Sequence, residues 1–333
     1  MKAPRLAVSA LAIALTVVAA QAQKASPPPS MLDPSIAEPS AVDRDAGPSV
    51  SFPAPPAETD DAFAAYQRGF YITAFRLALK RVERDKRDAA AMTLLGQLYA
   101  EGSGTTKDPQ ASVRWYRAAA DLGDSPAAFA VGVAALKGEG MPVDRALAKQ
   151  MFERAADKGH AGARYNLGVM AIEGGSQPDF PRAIDQFRLA AESGNADAAY
   201  SLGVLYHLGR GTVRNDPEAI KWFKQAADGD NVPGMVEYAI MLFNGEGATK
   251  DEARAARWFL KAAQRGNPVA QNRAARLLAA GRGVALDIVE AMKWHLLARG
   301  AGIQDEWLDG RLTELSTSQR AAVEEAVKRF NGG

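Results

Sequence analysis

Every 35 or 36 residues the chain returns to the same small residue. Leu95-Gly96, Val131-Gly132, Leu167-Gly168 and Leu202-Gly203 stand in one register, and Tyr238-Ala239 with Ala274-Ala275 continue it. A second register keeps the same step with Trp115, Met151, Phe187, Trp222, Trp258 and Trp294. Alanine pairs follow it at Ala119-Ala120, Ala155-Ala156, Ala190-Ala191, Ala226-Ala227 and Ala262-Ala263. A period this regular restricts the chain to supersecondary units stacked along one elongated core, because a lone unit of this length cannot bury its own apolar face. Six units are counted this way.

The clearest copy runs through Ala198, Leu202, Gly203 and Tyr206 at helical spacing, then Gly209-x-Gly211, then Asp216-Pro217-Glu218 opening a helix with Ala219, Trp222 and Ala226-Ala227. Each unit is therefore a helix, a glycine turn and a helix. A glycine inside a helix costs about 1 kcal/mol relative to alanine, so its recurrence at one position implies close approach of the partner helix. The Trp, Phe or Met of the second helix is expected to fill the space opposite. Asp108-Pro109, Ser125-Pro126, Asp216-Pro217 and Asn267-Pro268 read as side-chain caps followed by proline at the first helical position. Gly123, Gly159, Gly194 and Gly266 read as C-terminal stops. In the third unit Gly174 to Pro181 replaces the glycine turn, which predicts a longer loop there.

The pattern A-x-x-x-L-G-x-x-Y-x-x-G-x-G…D…A…W-x-x-x-A-A over Ala198 to Ala227 resembles the Sel-one-like repeat, a relative of the tetratricopeptide repeat. The second and sixth units depart from it, with Ala135 and Leu278 at the first-helix tyrosine. The resemblance implies an all-α fold, a right-handed superhelical solenoid of helix-turn-helix repeats, serving as an adaptor or regulator in protein complexes. It brings no catalytic residues to transfer. The array is expected over 89–302, with an N-terminal capping helix pair over 60–88 and C-terminal capping helices over 303–333, since terminal units need polar outer faces.

Lys2 and Arg5 precede an apolar run from Leu6 to Ala20, and Ala20-Gln21-Ala22 has the small-x-small form of a cleavage site. Residues 1–22 are read as a signal peptide, which places the mature chain in the periplasm or outside the cell. A membrane association arises only if this leader is left uncleaved. Residues 23–59 hold half of the 18 prolines and lack a periodic apolar face, which predicts a disordered linker. Cysteine is absent, so disulfides, thiolate metal sites and cysteine nucleophiles are excluded. With 40 basic and 39 acidic residues the net charge is +1, which gives no electrostatic case for nucleic acid and predicts a weak dependence of binding on salt.

Catalytic signals are weaker than structural ones. Gly102-Ser103-Gly104-Thr105-Thr106-Lys107 invites comparison with a phosphate loop, but the lysine does not follow the second glycine, and the same turn recurs at Gly138, Gly209, Gly245 and Gly281. The three histidines, His160, His207 and His295, lie at unrelated registers and assemble no metal site or triad by spacing. No cofactor or metal is expected, and no catalytic residue is assigned. What remains is the concave face that first helices line in arrays of this kind. Its candidate partner-binding residues are Tyr165, Val169, Tyr200, Val204, His207, Val236, Ile240 and Phe243, with Tyr165, Tyr200, His207 and Phe243 expected to be exposed. Tighter winding would bury them instead. The stripe turns polar at Asn272 and Arg276. The reading is a monomeric, non-enzymatic solenoid that binds a protein or peptide in the bacterial envelope. A secreted effector binding a host protein and a peptidoglycan-related enzyme are the alternatives.

Overall fold

A computed structural model describes residues 62–174 and 177–332. The leader and proline-rich expectations therefore lie outside the described residues. Among the described residues there are sixteen helices and no strand. They fall into two compact units that divide after Met170.

The first unit contains α1 (Ala62–Gln67), α2 (Tyr71–Arg84), α3 (Ala89–Glu101), α4 (Pro109–Asp121), α5 (Ser125–Lys137), α6 (Arg145–Asp157) and most of α7 (Ala161–Glu173). From α1 to α6, each helix packs against the next in chain order. The second unit contains α8 (Phe180–Glu192), α9 (Ala196–Leu208), α10 (Asp216–Asp228), α11 (Val232–Asn244), α12 (Glu252–Gln264), α13 (Pro268–Ala280), α14 (Ile288–Gly300), α15 (Glu306–Thr313) and α16 (Thr317–Asn331). From α8 to α15 each helix again packs against the next, and α16 folds back on α14 through a Trp294–Phe330 edge contact of 5.2 Å. This is an all-α solenoid of tandem helix pairs.

The recurring glycine behaves as its register predicts, but the ring opposite it is not the expected one. A Cβ on Gly96, Gly132 or Gly203 would lie 2.7, 2.6 and 2.7 Å from the rings of Tyr116, Phe152 and Phe223. None of these glycines has a positive φ, so the demand is steric. The facing residue sits one position after Trp115, Met151 and Trp222. Trp222 and Trp258 are only half-buried, whereas Phe223 and Phe259 are buried. Successive helical side chains diverge by about 100°, so two adjacent apolar residues cannot both point at the partner helix.

The third unit shows the same slip from another cause. Six residues separate α7 from α8, against seven in each other unit, so the connection is shorter and not longer than expected. Phe180 and Pro181, read as loop, are the first two residues of α8. Counted from the helix start, Phe187 then occupies the slot of Phe152 and Phe223, and it is fully buried.

Two of the four cap assignments shift by one residue. Asp108 and Asn267 cap α4 and α13 with proline at the first helical position, as read. For α5 and α10 the caps are Asp124 and Asn215, which accept from the amides of Ala127 and Glu218 at 2.7 and 3.1 Å. Pro126 and Pro217 then stand second in their helices, where the amide proton is equally dispensable. The glycine turns are backbone devices. In the fourth unit Gly209 closes α9 at φ 64°, and Gly211 at φ 74° lets the chain pass so close to Phe180 that a Cβ would sit 2.4 Å from it. The second glycine of each turn thus seats one unit on the start of the second helix of the unit before.

Candidate functional site

The structure brings together two of the eight candidate residues. Ile240 and Phe243, both half-buried on α11, form one wall of a cleft of about 390 Å³ in the second unit. Phe259 of α12 lies at its base, and Arg273, Arg276, Leu277 and Ala280 of α13 form the opposite wall. Asn244 at the end of α11, Arg282 from the turn after α13 and Trp307 from α15 complete the lining.

The other candidates divide by burial. Tyr165 and Tyr200, expected to be exposed, are each only 4% exposed. Their correction has a packing cause: the Tyr200 ring tilts against Phe223 with centroids 5.9 Å apart, and burial pushes its phenol pKa upward. Val204 and Val236 are also buried, and Val169 and His207 are half-buried. His207 is engaged by Asp216 at 2.8 Å, whose carboxyl is held down first by Arg214. His160 caps α7, its Nδ1 accepting from the Ala163 amide at 3.2 Å, and stacks on Phe129 at 4.3 Å. His295 fills the ring slot of the sixth unit, fully buried, with Nε2 2.9 Å from Asp309. The three imidazoles are thus employed separately.

The cleft exists because the array ends there. In the fifth unit, Val236 and Ile240 hold the fifth and ninth places of the first helix. Asn272 and Arg276 hold the same places in α13. Asp305, the N-cap of the eight-residue α15, answers them: it accepts from Asn272 at 2.7 Å and from Nε and Nη2 along one edge of the Arg276 guanidinium at 2.5 and 2.7 Å. Burial alone would push this carboxyl up, but Arg276, Asn272 and the Leu308 amide outweigh it and hold the pKa at about 2. Asp305 therefore anchors a short helix whose first turn presents Trp307, 41% exposed, over Arg276 at 5.6 Å.

On the other wall, the Arg282 guanidinium lies 4.7 Å from the Phe243 ring centroid and donates to Glu252 at 2.5 Å. Arg282 and Lys250 together hold the Glu252 carboxyl down at about 2. Arg273 is exposed and makes no ion pair or hydrogen bond among the described residues. The arrangement offers two guanidiniums fixed by carboxylates and stacked on rings, one unpaired guanidinium, and an apolar floor of Phe259 and Leu277. Such a surface can hold a side chain and an anion. It has no nucleophile paired with a base. Sequence reading missed Arg273, Arg282 and Trp307 as site residues. The available signal was the change from Val236 and Ile240 to Asn272 and Arg276, which was read as the polar end of the stripe.

An all-α array of helix pairs with a lined cleft defines a repeat solenoid. A family model described as the Sel1 repeat matches residues 89–124, 125–160, 161–195, 196–231, 232–267 and 268–302. The chain belongs to the Sel1 repeat family, whose members are generally protein-interaction scaffolds. Among solved structures it is similar to a Sel1 repeat protein from Oxalobacter formigenes, with 25% identity, a TM-score of 0.62, and coverage of 74% of this chain and 100% of that one. It is also similar in fold to a protective antigen of uropathogenic Escherichia coli displaying an SLR fold, with 23% identity, a TM-score of 0.48, and coverage of 78% and 64%. No curated protein matches the sequence.

Proposed function

We propose that the chain is a non-enzymatic adaptor of the bacterial cell envelope, exported through its N-terminal leader, that holds a protein or peptide partner in the cleft of its second unit. The observation that carries this reading is the cleft itself: Phe243 and Trp307 present ring faces beside Arg273, Arg276 and Arg282. Aromatic and arginine side chains grouped in a concave site are the residue types that anchor protein partners. The leader reading supports an envelope location through the basic start, the short apolar run and Ala20-Gln21-Ala22.

The test combines fractionation with site-specific cross-linking. The mature chain should begin at Gln23 and partition with the periplasm. A photoreactive residue at Ala280, which lines the cleft, should give a discrete protein adduct in cells. The same residue at Val213, 85% exposed in a turn outside the cleft, should not. An intact Met1 form retained in the cytoplasm, or equal labelling from both positions, would overturn the reading.

A further inference from the structure

We infer that the cleft between α11, α13 and α15 recognises an acidic peptide segment in which an aromatic or large aliphatic side chain lies beside one or more carboxylates. The inference rests on the partner-binding reading above and names the chemistry of the partner.

Charge decides the polar half of the occupant. Arg273, Arg276 and Arg282 converge on the cleft, while Asp305 and Glu252, neither of which lines it, pair with two of them. Asp305 is only 3% exposed at its side chain, so the positive ends of the pair, not the negative one, meet the solvent. Arg276 keeps 46% of its side chain exposed and Arg282 keeps 49%. Arg273 contributes a guanidinium with no carboxylate opposite it. An incoming carboxylate meets preorganised donors on two sides and an unpaired one on the third.

Shape decides the apolar half. Ile240, Phe259, Leu277 and Ala280 supply the aliphatic and aromatic lining of a space of about 390 Å³, flanked by the Phe243 and Trp307 rings. That volume is near the lower end of ligand sites, which run from about 300 to 1,000 Å³, and suits one or two side chains of an extended segment. A nucleic acid fits less well, because the cleft is short and half apolar where a run of phosphates needs an extended basic track, and the whole chain carries a net charge of only +1. The local charge also revises the salt expectation drawn from net charge: association at this cleft should weaken as salt rises, since it depends on the few charges at the contact.

The probe is a displayed library of random dodecapeptides, selected on the full-length chain, with the best peptides then synthesised and measured by fluorescence anisotropy. Selected sequences should be enriched in Asp and Glu next to Phe, Trp, Leu or Met. Arg273→Glu and Trp307→Ala should each weaken binding by about tenfold or more, as should replacing the peptide acids by their amides. Arg114→Glu, an exposed arginine of α4 outside the cleft, should leave binding unchanged. Arg273 is exposed and unpaired, so its variant should keep the helical circular dichroism of the parent. Peptides without acid enrichment, or acidic peptides indifferent to Arg273→Glu, would overturn the inference while leaving the adaptor reading in place. So would a failed selection alongside a protein adduct from Ala280. A failed selection with no adduct would overturn both.

Discussion

Gly203→Leu tests whether the helix pairs are held apart by the space that one absent side chain leaves. The first added carbon alone would stand 2.7 Å from Phe223 Cδ1 and 2.8 Å from Cε1, where ordinary contact begins at 3.4 Å. The ring would have to withdraw by about 0.7 Å before the rest of the leucine is placed. It has little room, being 1% exposed and backed by Tyr200. Overpacking commonly costs about 1–3 kcal/mol, and this case belongs at or above the upper end. Helix propensity returns roughly 0.8–1 kcal/mol when glycine is replaced, leaving a net loss of about 2–3 kcal/mol. For an array of this size that lowers the melting temperature by about 5–10 °C. Phe223→Ala alone should cost about 3–5 kcal/mol through the cavity it opens. Combining the two places leucine where the ring was, so the double variant should be more stable than the sum of the single losses by about 2 kcal/mol. Thermal and urea unfolding of the four proteins would measure this cycle. Simple additivity would mean that residues 203 and 223 do not face each other, and the packing account would be wrong.

Gly247→Ala should destabilise far more than Gly266→Ala. Both have positive φ, an expected cost of about 1–2 kcal/mol, but only Gly247 would also drive a Cβ to 2.3 Å from the Asp216 carbonyl oxygen. Tyr200→Ala should lower stability by about 3 kcal/mol or more, because the ring is core and not binding surface, so partner binding is better probed with Phe243→Ala and Trp307→Ala. Asp305→Asn keeps a capping oxygen but removes the charge facing Arg276. A carboxyl whose folded pKa lies at about 2, below its ordinary 3.8, stabilises above the ordinary value and loses that contribution as pH falls toward 2. The stability gap between parent and Asp305→Asn should therefore be full at pH 7 and close between pH 4 and pH 2. Burial lowers the pKa of His160 below its ordinary 6.5, so the unfolded chain binds its proton first and stability should fall as pH drops below that value. His160→Asn, which places there the cap that the first helices of the fourth to sixth units carry, should flatten that slope in pH-resolved melting curves.

The period, the number of units and the small-residue register were legible because each is a local demand repeated six times, and a steric rule repeated at one spacing leaves little else to satisfy it. Glycine stops and two of the four caps were legible for the same reason: their chemistry is completed within three or four residues. The ring slot was not. Trp222 and Phe223 are adjacent and both apolar, and only the placement of α10 against α9 decides which turns inward. The one-residue deletion before α8 misled the spacing of Phe187, since a period counted along the chain does not record where a helix starts. Exposure at Tyr165 and Tyr200 was likewise a tertiary matter, because how deeply a first-helix side chain sinks depends on how neighbouring pairs wind. The cleft was the least legible feature. Phe243, Arg276, Asp305 and Trp307 belong to three helices and carry no shared spacing. They meet because α15 is too short to continue the stack and is drawn onto α13 by a buried carboxylate answering an arginine 29 residues away.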